Sequence, residues 1–434
     1  MSAQQQVSEL LNFIDNSPSP FHVVKSIESQ LTQYDFECLD EKQQWLLKPG
    51  GRYFIIRDDS SIIFFIAGVK PLAETGYKIL GAHTDSPGLK IKPNPVINSD
   101  GLLRLGVEVY GGPILATFTD RDLSLAGRIS FKTGDGLISS QLIHFEQALI
   151  RLPNLAIHMN RHVNEEGLKL HKQNELALIL STMVEEQLSV DYFKQCLEKK
   201  SGIKIDQILS WELNVYDTQR GSFWGDQQQF YANSQLDNLA SCHAGLQAFL
   251  DDSVLQADNT RLCAFFDHEE IGSESSKGAG GSFLPDILQR IALALEIGSE
   301  GYQCALAQSF MISADMAHAY QPNFPSAYEP EHKVRVNKGP VIKINANQRY
   351  SSESISVAQF IYWCEQANVP YQFYSHRTDI SCGSTIGPIT SAKLGIRSVD
   401  VGNPMWAMHS IRESAGVLDH DYMIKVLKCF FSAR

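Results

Sequence analysis

Several apolar, strand-like runs in this chain end directly in a histidine or a carboxylate, and this arrangement limits the folds that the chain can adopt. The runs, each with the polar residue that follows it, are Tyr77-Lys-Ile-Leu-Gly-Ala before His83, Leu262-Cys-Ala-Phe-Phe before Asp267-His-Glu-Glu, and Ser309-Phe-Met-Ile-Ser-Ala before Asp315. From Asp237 onward, buried strand patterns alternate with helical ones, which is typical of a mostly parallel sheet with helices on both faces. Such sheets bind ligands at the carboxyl ends of their strands. The sequence therefore predicts an α/β fold whose polar residues gather at one edge of the sheet.

Local signals predict further elements. Ser19 and Pro20 are typical of the N-cap and first residue of a helix. Arg52-Tyr-Phe-Ile-Ile-Arg and Ser61-Ile-Ile-Phe-Phe-Ile-Ala predict two paired strands around an Asp-Asp-Ser turn. The apolar run Glu175-Leu-Ala-Leu-Ile-Leu predicts a helix.

The spacing of the ligand-type residues predicts the domain organisation. The gap between His83 and Asp237 is much longer than the later gaps and can hold a whole domain. This gap is rich in short strand-like runs separated by glycine-containing turns. We therefore expect residues 93–233 to form an inserted β-rich domain, with residues 1–92 and 234–434 as the two parts of a catalytic domain.

Composition excludes several classes of protein. The 37 basic and 49 acidic residues give a net charge of −12, which argues against non-specific nucleic-acid binding. No apolar run approaches the roughly 18 residues that span a bilayer, and the N-terminus lacks a secretory signal pattern. The eight cysteines are scattered without a C-x-x-C pair, which favours free thiols in a reducing cytoplasm. Any metal must then be held by His, Asp and Glu.

The adjacent carboxylates Glu269 and Glu270 are the most specific chemical signal. Buried acid pairs are unfavourable unless something compensates for their charge. Beside a divalent cation, Glu270 could ligate the metal while Glu269 takes a proton from water as a general base. The alternative is a solvated loop, which the following Gly-Ser-Glu-Ser-Ser-Lys-Gly favours.

The other candidates are weaker when each is taken alone. Strand periodicity puts His83 and Asp85 on one side of the backbone, where Asp85 could orient the imidazole of a metal ligand; the alternative is a polar turn. Asp237 could be a helix N-cap or a carboxylate that bridges two ions. Asp315 follows a strand, whereas His409 lies in a loop, where a lone histidine is more often structural.

Seven segments together resemble the aspartyl aminopeptidases, cytosolic exopeptidases with two zinc ions, over nearly the whole chain. The segments are Gly81-Ala-His-Thr-Asp-Ser-Pro, Ser234-Gln-Leu-Asp-Asn-Leu, Asp267-His-Glu-Glu-Ile-Gly-Ser, Ser313-Ala-Asp-Met-Ala-His-Ala, Gly339-Pro-Val-Ile-Lys-Ile-Asn, Cys382-Gly-Ser-Thr-Ile-Gly-Pro and Ala407-Met-His-Ser-Ile-Arg-Glu.

The resemblance implies a role for each ligand-type residue. Asp237 would bridge two divalent ions, most often Zn²⁺, although Co²⁺ or Mn²⁺ would also suit these ligands. His83 and Asp315 would complete one site, and Glu270 and His409 the other. As catalytic residues, Asp85 would orient His83 and Glu269 would act as the general base.

The same resemblance implies the fold, the assembly and the substrate. The fold would be a zinc-peptidase-like α/β domain interrupted by a β-rich dimerisation domain, and the dimers would assemble into a tetrahedral homododecamer. The substrates would be peptides with a free N-terminus, cleaved after an N-terminal Asp or Glu. The substrate-binding residues would be His158, His318, Lys343 and Gly383, with His158 reaching the active site of a neighbouring subunit.

One position departs from the family pattern. Members of the family often carry a histidine where this chain has Gln321, so one potential cation for an acidic substrate is absent. Two alternatives therefore stay open: a two-metal aminopeptidase of broad or neutral specificity, and a non-catalytic assembly protein that keeps the fold.

Overall fold

The computed structural model describes residues 1–182, 191–255 and 258–433. The α-helices in this part of the chain are α1 Ala3–Asp15, α2 Pro20–Gln33, α3 Leu72–Thr75, α4 Val163–Glu166, α5 Asp191–Ser201, α6 Leu236–Phe249, α7 Asp252–Leu255, α8 Phe283–Ala294, α9 Ser299–Gln308, α10 Ser354–Gln366, α11 Ile386–Leu394 and α12 Val417–Ser432. The strands are β1 Glu37–Cys38, β2 Arg52–Arg57, β3 Ser61–Ile66, β4 Tyr77–His83, β5 Gly88–Ser99, β6 Leu102–Tyr110, β7 Leu123–Lys132, β8 Ile138–His144, β9 Leu178–Thr182, β10 Ile208–Asp217, β11 Ser222–Trp224, β12 Phe230–Asn233, β13 Thr260–Phe266, β14 Phe310–Ala314, β15 Ala317–His318, β16 Val341–Ile344, β17 Gln372–Ser375, β18 Arg397–Gly402, β19 Pro404–Trp406 and β20 Glu413–Gly416.

The largest sheet has nine strands in the order β1-β2-β3-β13-β4-β14-β18-β16-β17. Its centre is parallel, because β13, β4, β14 and β18 all run in the same direction. Helices cover both faces, which confirms the predicted α/β class. In the register of this sheet Phe266 lies opposite His83, so β13 and β4 end at the same level.

Burial on both faces explains why the central strands are almost entirely apolar. All six residues of β3 are buried, and they alternate between two cores. Ile62 and Phe64 pack in the core that includes α1, α2, α6, α10 and α12. Ile63 and Phe65 pack in the opposite core, which contains residues of α8, α9 and α11.

A second, six-stranded sheet has the order β8-β7-β10-β5-β6-β9 and a hydrophobic core of its own. Its strands lie between Gly88 and Asp217, and the domain boundaries at 93 and 233 stay a prediction. Arg128 on β7 connects this sheet to the large one, because its guanidinium lies 3.0 Å from carboxylate oxygens of both Asp58 and Asp59 in the β2–β3 turn. A third sheet, β11-β12-β20-β19-β15, lies later in the chain.

The structure confirms several local predictions and corrects one. Helix α2 begins at Pro20, and β2 and β3 form the expected antiparallel pair. The helix predicted at Glu175 is wrong, because Leu178–Thr182 forms β9 and pairs with β6. A short apolar run fits a strand or a helix, and here the unpaired edge of β6 decides in favour of the strand. Among the described residues, no helix combines the length and apolarity needed to cross a membrane.

Candidate metal centre

Three neighbouring strands deliver the predicted polar residues to one edge of the large sheet. His83 ends β4, Glu269 and Glu270 lie in the 3₁₀ turn after β13, and Asp315 follows β14. Because these strands are parallel neighbours, their carboxyl ends meet. Asp237 reaches the same point from the start of α6.

His409 arrives from the third sheet, in the turn between β19 and β20. The histidine therefore belongs to a different sheet from His83, and sequence spacing alone could not place the two together. Its Nε2 lies 3.4 Å from Glu270 Oε2 and 3.6 Å from Asp237 Oδ2.

Each of the two histidines is held through Nδ1, which leaves Nε2 facing carboxylates. His83 Nδ1 lies 3.0 Å from the backbone oxygen of Asp85, and His409 Nδ1 lies 3.1 Å from the backbone oxygen of Gly112. A carbonyl oxygen only accepts, so the Nδ1 atoms carry the protons in these hydrogen bonds. This tautomer presents the Nε2 lone pair to the cleft, as a metal ligand requires.

Asp237 directs one carboxylate oxygen toward each histidine. Its Oδ1 lies 3.3 Å from His83 Nε2, and its Oδ2 lies 3.6 Å from His409 Nε2. The side chain is buried, and Oδ1 makes no hydrogen bond. Asp315 Oδ1 lies 3.6 Å from the same nitrogen of His83.

The sequence predicted that the Asp85 carboxylate orients His83, but the backbone oxygen of Asp85 makes the closer contact. The carboxylate oxygen Oδ1 is 3.4 Å from His83 Nδ1, farther than the backbone oxygen of the same residue. Instead, the carboxylate accepts the backbone N–H groups of Glu269 and Glu270, at 3.2 and 3.1 Å. Asp85 thus fixes the backbone of the glutamate pair.

The acids of the cleft carry more negative charge than the neighbouring histidines balance. Burial raises the pKa of Glu269 well above its usual range; His83 opposes this, and Asp315 and Glu270 add to it. Burial likewise raises the pKa of Glu270 to about 7, although the hydrogen bond with His409 opposes it. A bound divalent cation compensates for charge of this kind.

The residues present fit a zinc ion. His83, Asp237 and Glu270 each offer one ligand atom, and these three atoms lie within 4.8 Å of one another. Asp237 Oδ1 is a buried acceptor without a hydrogen bond, which an ion would satisfy. Imidazole nitrogen and carboxylate oxygen are common zinc ligands.

A cavity of about 210 Å³ opens at these residues. Its lining includes every predicted ligand, the predicted base Glu269, and His318, Lys343 and Gly383. Asp85 lies behind the lining, fully buried. His158 does not line the cavity and is exposed in the segment between β8 and β9.

Sequence reasoning assigned no role to two residues that support the site. Tyr110 ends β6 and donates a hydrogen bond from its hydroxyl to Asp85 Oδ2 at 2.7 Å. Glu413 is buried and accepts the backbone N–H groups of Asp237 and His409, at 3.0 and 2.6 Å. The available signal for Glu413 was an acidic residue separated by Ser414 alone from the mostly apolar run Ala415-Gly-Val-Leu.

Comparison with known proteins identifies the family. The sequence profile of the aminopeptidase I zinc metalloproteases, the M18 peptidases, matches residues 13–431. This chain belongs to the M18 peptidases. Membership makes it an aminopeptidase and a zinc-dependent hydrolase.

Relatives of this M18 peptidase match over its full length. A protein named "Probable M18 family aminopeptidase 2" from Stutzerimonas stutzeri (strain A1501) is 45% identical over 427 residues, which cover 98% of this chain and 97% of the relative. A protein of the same name from Pseudomonas aeruginosa (strain PAO1) is 43% identical over 427 residues with the same coverage.

Solved structures share the fold of this M18 peptidase. A chain in the cryo-EM structure of the Ape4 and Nbr1 complex is 36% identical with a TM-score of 0.94, covering 99% of this chain and 86% of that one. The S. cerevisiae mApe1 dodecamer contains a chain that is 26% identical with a TM-score of 0.85, covering 98% and 96%.

Proposed function

We propose that this M18 peptidase is an aspartyl aminopeptidase, which uses two divalent metal ions to release N-terminal Asp or Glu from peptides. The observation that carries the two-ion proposal is the placement of Asp237, whose two carboxylate oxygens each face a different histidine. A carboxylate in this position can bridge two ions.

The ligand sets follow from the distances. His83 and Asp315 lie on the Oδ1 side of Asp237, and Glu270 and His409 lie on its Oδ2 side. We assign one ion to each set, with Asp237 shared. Zinc is the family metal, and Co²⁺ or Mn²⁺ would also suit these oxygen and imidazole ligands.

Glu269 is the proposed general base. Bound zinc polarises a peptide carbonyl and lowers the pKa of water. Glu269 lines the cavity beside the ligands but is not assigned to either ion, so its carboxylate is free to accept the proton of the attacking water. It then returns this proton to the leaving amine. Asp85 holds the backbone of Glu269 in place during both transfers.

Lys343 supports the acidic preference. It is 2% exposed and lines the cavity, with Nζ 3.5 Å from Asp315 Oδ2 and 5.4 Å from the centre of the Tyr350 ring. Burial, together with the nearby Lys343, lowers the pKa of His318 to about 4, so His318 is neutral at pH 7. Lys343 is then the cation available to a substrate carboxylate, and Gly383, which also lines the cavity, has nothing within 4 Å of where its Cβ would be.

Gln321 lies outside the cavity lining. Its side-chain oxygen accepts the backbone N–H of Asn323 at 2.8 Å, which is a local turn contact. The missing histidine at this position therefore removes no charge from the lining of this subunit.

We further propose that the protein is cytoplasmic and forms a homo-oligomer, a tetrahedral dodecamer built from dimers. The related mApe1 of S. cerevisiae is a dodecamer. In such an assembly the exposed His158 would contribute to the active site of a neighbouring subunit, which accounts for its distance from the cavity of its own chain.

A substrate panel tests the specificity. We expect kcat/KM for N-terminal Asp and Glu substrates to exceed that for Leu at least tenfold, and Lys343→Met to remove this preference, because a charge-assisted hydrogen bond is worth about 1.5–3 kcal/mol. The Leu substrate is the internal control, since retained Leu cleavage shows that the variant still folds and binds metal. A tenfold preference of the unmodified enzyme for Leu would overturn the acidic assignment in favour of broad or neutral specificity.

A further inference from the structure

The end of β6 reaches from the six-stranded sheet into the cleft of the large sheet. This segment, Tyr110-Gly111-Gly112, is here called the arm. Tyr110 is its first residue and is buried. The ammonium of Lys90, on the paired strand β5, lies 3.8 Å from the centre of the Tyr110 ring. A residue of the six-stranded sheet therefore holds the ring in place.

Tyr110 acts on the glutamate pair through Asp85. Its hydroxyl is the one side-chain donor that the structure shows on the Asp85 carboxylate apart from the more distant His83 ring. The same carboxylate accepts the backbone N–H groups of Glu269 and Glu270. Without Tyr110, this buried carboxylate loses a charge-assisted hydrogen bond and is held only by the two backbone N–H groups and the more distant His83 ring. The hydroxyl of Tyr110 therefore restrains the orientation of both glutamates.

The glycines of the arm act on His409 and Glu270 directly. The backbone oxygen of Gly112 accepts from His409 Nδ1 at 3.1 Å, and the backbone N–H of Ile114 donates to the backbone oxygen of His409 at 2.9 Å. Gly111 has φ of +67°, and a Cβ there would lie 3.1 Å from the backbone oxygen of Glu270. The arm therefore needs glycine at 111 for its conformation and for its approach to the cleft.

We propose that the arm is a positioning element for the metal centre, so that the six-stranded sheet sets the metal affinity of a site whose proposed ligands all lie outside that sheet. The inference rests on the proposed function, because it takes Glu270 and His409 as ligands and Glu269 as the base. It goes beyond that function by assigning Tyr110, Gly111 and Gly112 to the site. Each contact fixes a ligand or the base without occupying a coordination position.

The test compares Tyr110, whose hydroxyl contacts Asp85 at the site, with Tyr77, whose hydroxyl contacts the backbone of Leu288. Tyr110→Phe removes the hydroxyl that contacts Asp85. Tyr77→Phe removes another buried hydroxyl, which donates to the backbone oxygen of Leu288 at 2.7 Å. Tyr77 begins β4, at the opposite end of that strand from His83. Both variants lose one buried hydrogen bond, so we expect a similar fall in Tm. Zinc affinity, measured by competition with a chromogenic chelator, should fall about tenfold in Tyr110→Phe only.

A second pair tests the glycine. Gly111→Ala and Gly395→Ala both place alanine at a left-handed position, with φ of +67° and +66°. A Cβ on Gly395 meets nothing within 4 Å, whereas one on Gly111 crowds Glu270. We expect Gly111→Ala to weaken zinc binding by at least as much as Tyr110→Phe does, and Gly395→Ala to leave zinc binding unchanged.

The outcomes separate this inference from the proposed function. Equal zinc affinity in the Tyr110→Phe and Tyr77→Phe proteins, whether unchanged or weakened, would overturn the role of the arm. His83→Ala tests the ligand assignment itself, and unchanged zinc stoichiometry in that variant would overturn the proposed metal centre. If His83→Ala loses zinc while Tyr110→Phe keeps the zinc affinity of the unmodified protein, the positioning role of the arm is refuted and the proposed metal centre stands.

Discussion

Individual carboxylates in this site have two different kinds of partner. Asp237 and Glu270 direct oxygens toward histidine nitrogens, whereas Asp85 and Glu413 accept backbone N–H groups. Burial raises the pKa of Glu413 well above its usual range, and Asp237 adds to this. The proposed ligands and the carboxylates that hold the backbone are thus acids of the same type, which residue identity alone cannot distinguish.

At this scale, Glu269→Gln separates catalysis from metal binding. The amide keeps the size of the side chain but cannot accept the proton of water, so we expect kcat to fall about 10²–10⁴-fold while zinc content stays at the level of the unmodified enzyme. Metal analysis and turnover of an N-terminal peptide substrate on the same sample measure both quantities. Glu274→Gln, on an exposed residue of the following loop, is the matched control. Activity near that of the control would contradict the general-base assignment.

Among the elements, helices α6 and α12 pack together through a buried histidine pair. His243 Nδ1 lies 2.9 Å from His420 Nε2, and the rings stack with centres 5.0 Å apart. Burial lowers the pKa of His420 to about 3. Burial also lowers the pKa of His243 well below its usual range, and the neighbouring His420 lowers it further. Both rings are therefore neutral in the folded protein at pH 7.

This pair predicts a loss of stability in acid. The folded pKa of His420 is depressed below the ordinary value of 6.5, so the unfolded chain takes up protons first as the pH falls through 6.5 toward 3. From pH 7.5 to pH 5, His420 alone should lower the free energy of unfolding by about 2 kcal/mol. Chemical denaturation at both pH values measures this. The variant His420→Gln should lose about 2 kcal/mol less over the same interval; an identical pH dependence in both proteins would argue against the neutral pair.

Across the whole molecule, the metal centre draws on all three sheets. The large sheet supplies the ends of β4, β13 and β14, the third sheet supplies His409, and the arm belongs to the six-stranded sheet. The segment between β8 and β9 also exposes large apolar side chains, with Leu155 68% and Met159 76% exposed. Contiguous exposed apolar side chains are typical of a surface that contacts another protein, and we expect these residues to belong to one.

The proposed assembly is tested by light scattering. We expect a molar mass twelve times that of one chain for the unmodified protein. Leu155→Asp should shift the distribution toward smaller species, because it places a charge on the surface that we expect to be buried between subunits. Leu46→Asp is the control, since Leu46 is also exposed, at 86%, but lies in the segment before β2. A monomer at micromolar concentration in the unmodified protein would contradict the assembly.

The sequence predicted the parts of the site that follow from local pattern. His83, the glutamate pair and Asp315 each follow an apolar strand, and parallel neighbouring strands necessarily end side by side. The roles of Tyr110 and Glu413 were missed, because a tyrosine at the end of one strand and a glutamate at the start of another have no distinctive spacing. The helix predicted at Glu175 failed because an apolar run of that length fits either period.

By itself, the sequence determined the α/β class, the family and the set of polar residues that gather at one edge of the sheet, since apolar periodicity and motif order are local properties of the chain. Tertiary structure decided the positions and orientations of those side chains relative to one another. Only the meeting of three sheets brings His409 to Asp237, turns His409 so that its Nε2 faces the cleft, and sets Tyr110 against Asp85. The physical reason is that these three arrangements depend on contacts between segments distant in the sequence, whereas His83 is held by the backbone of Asp85, two residues away.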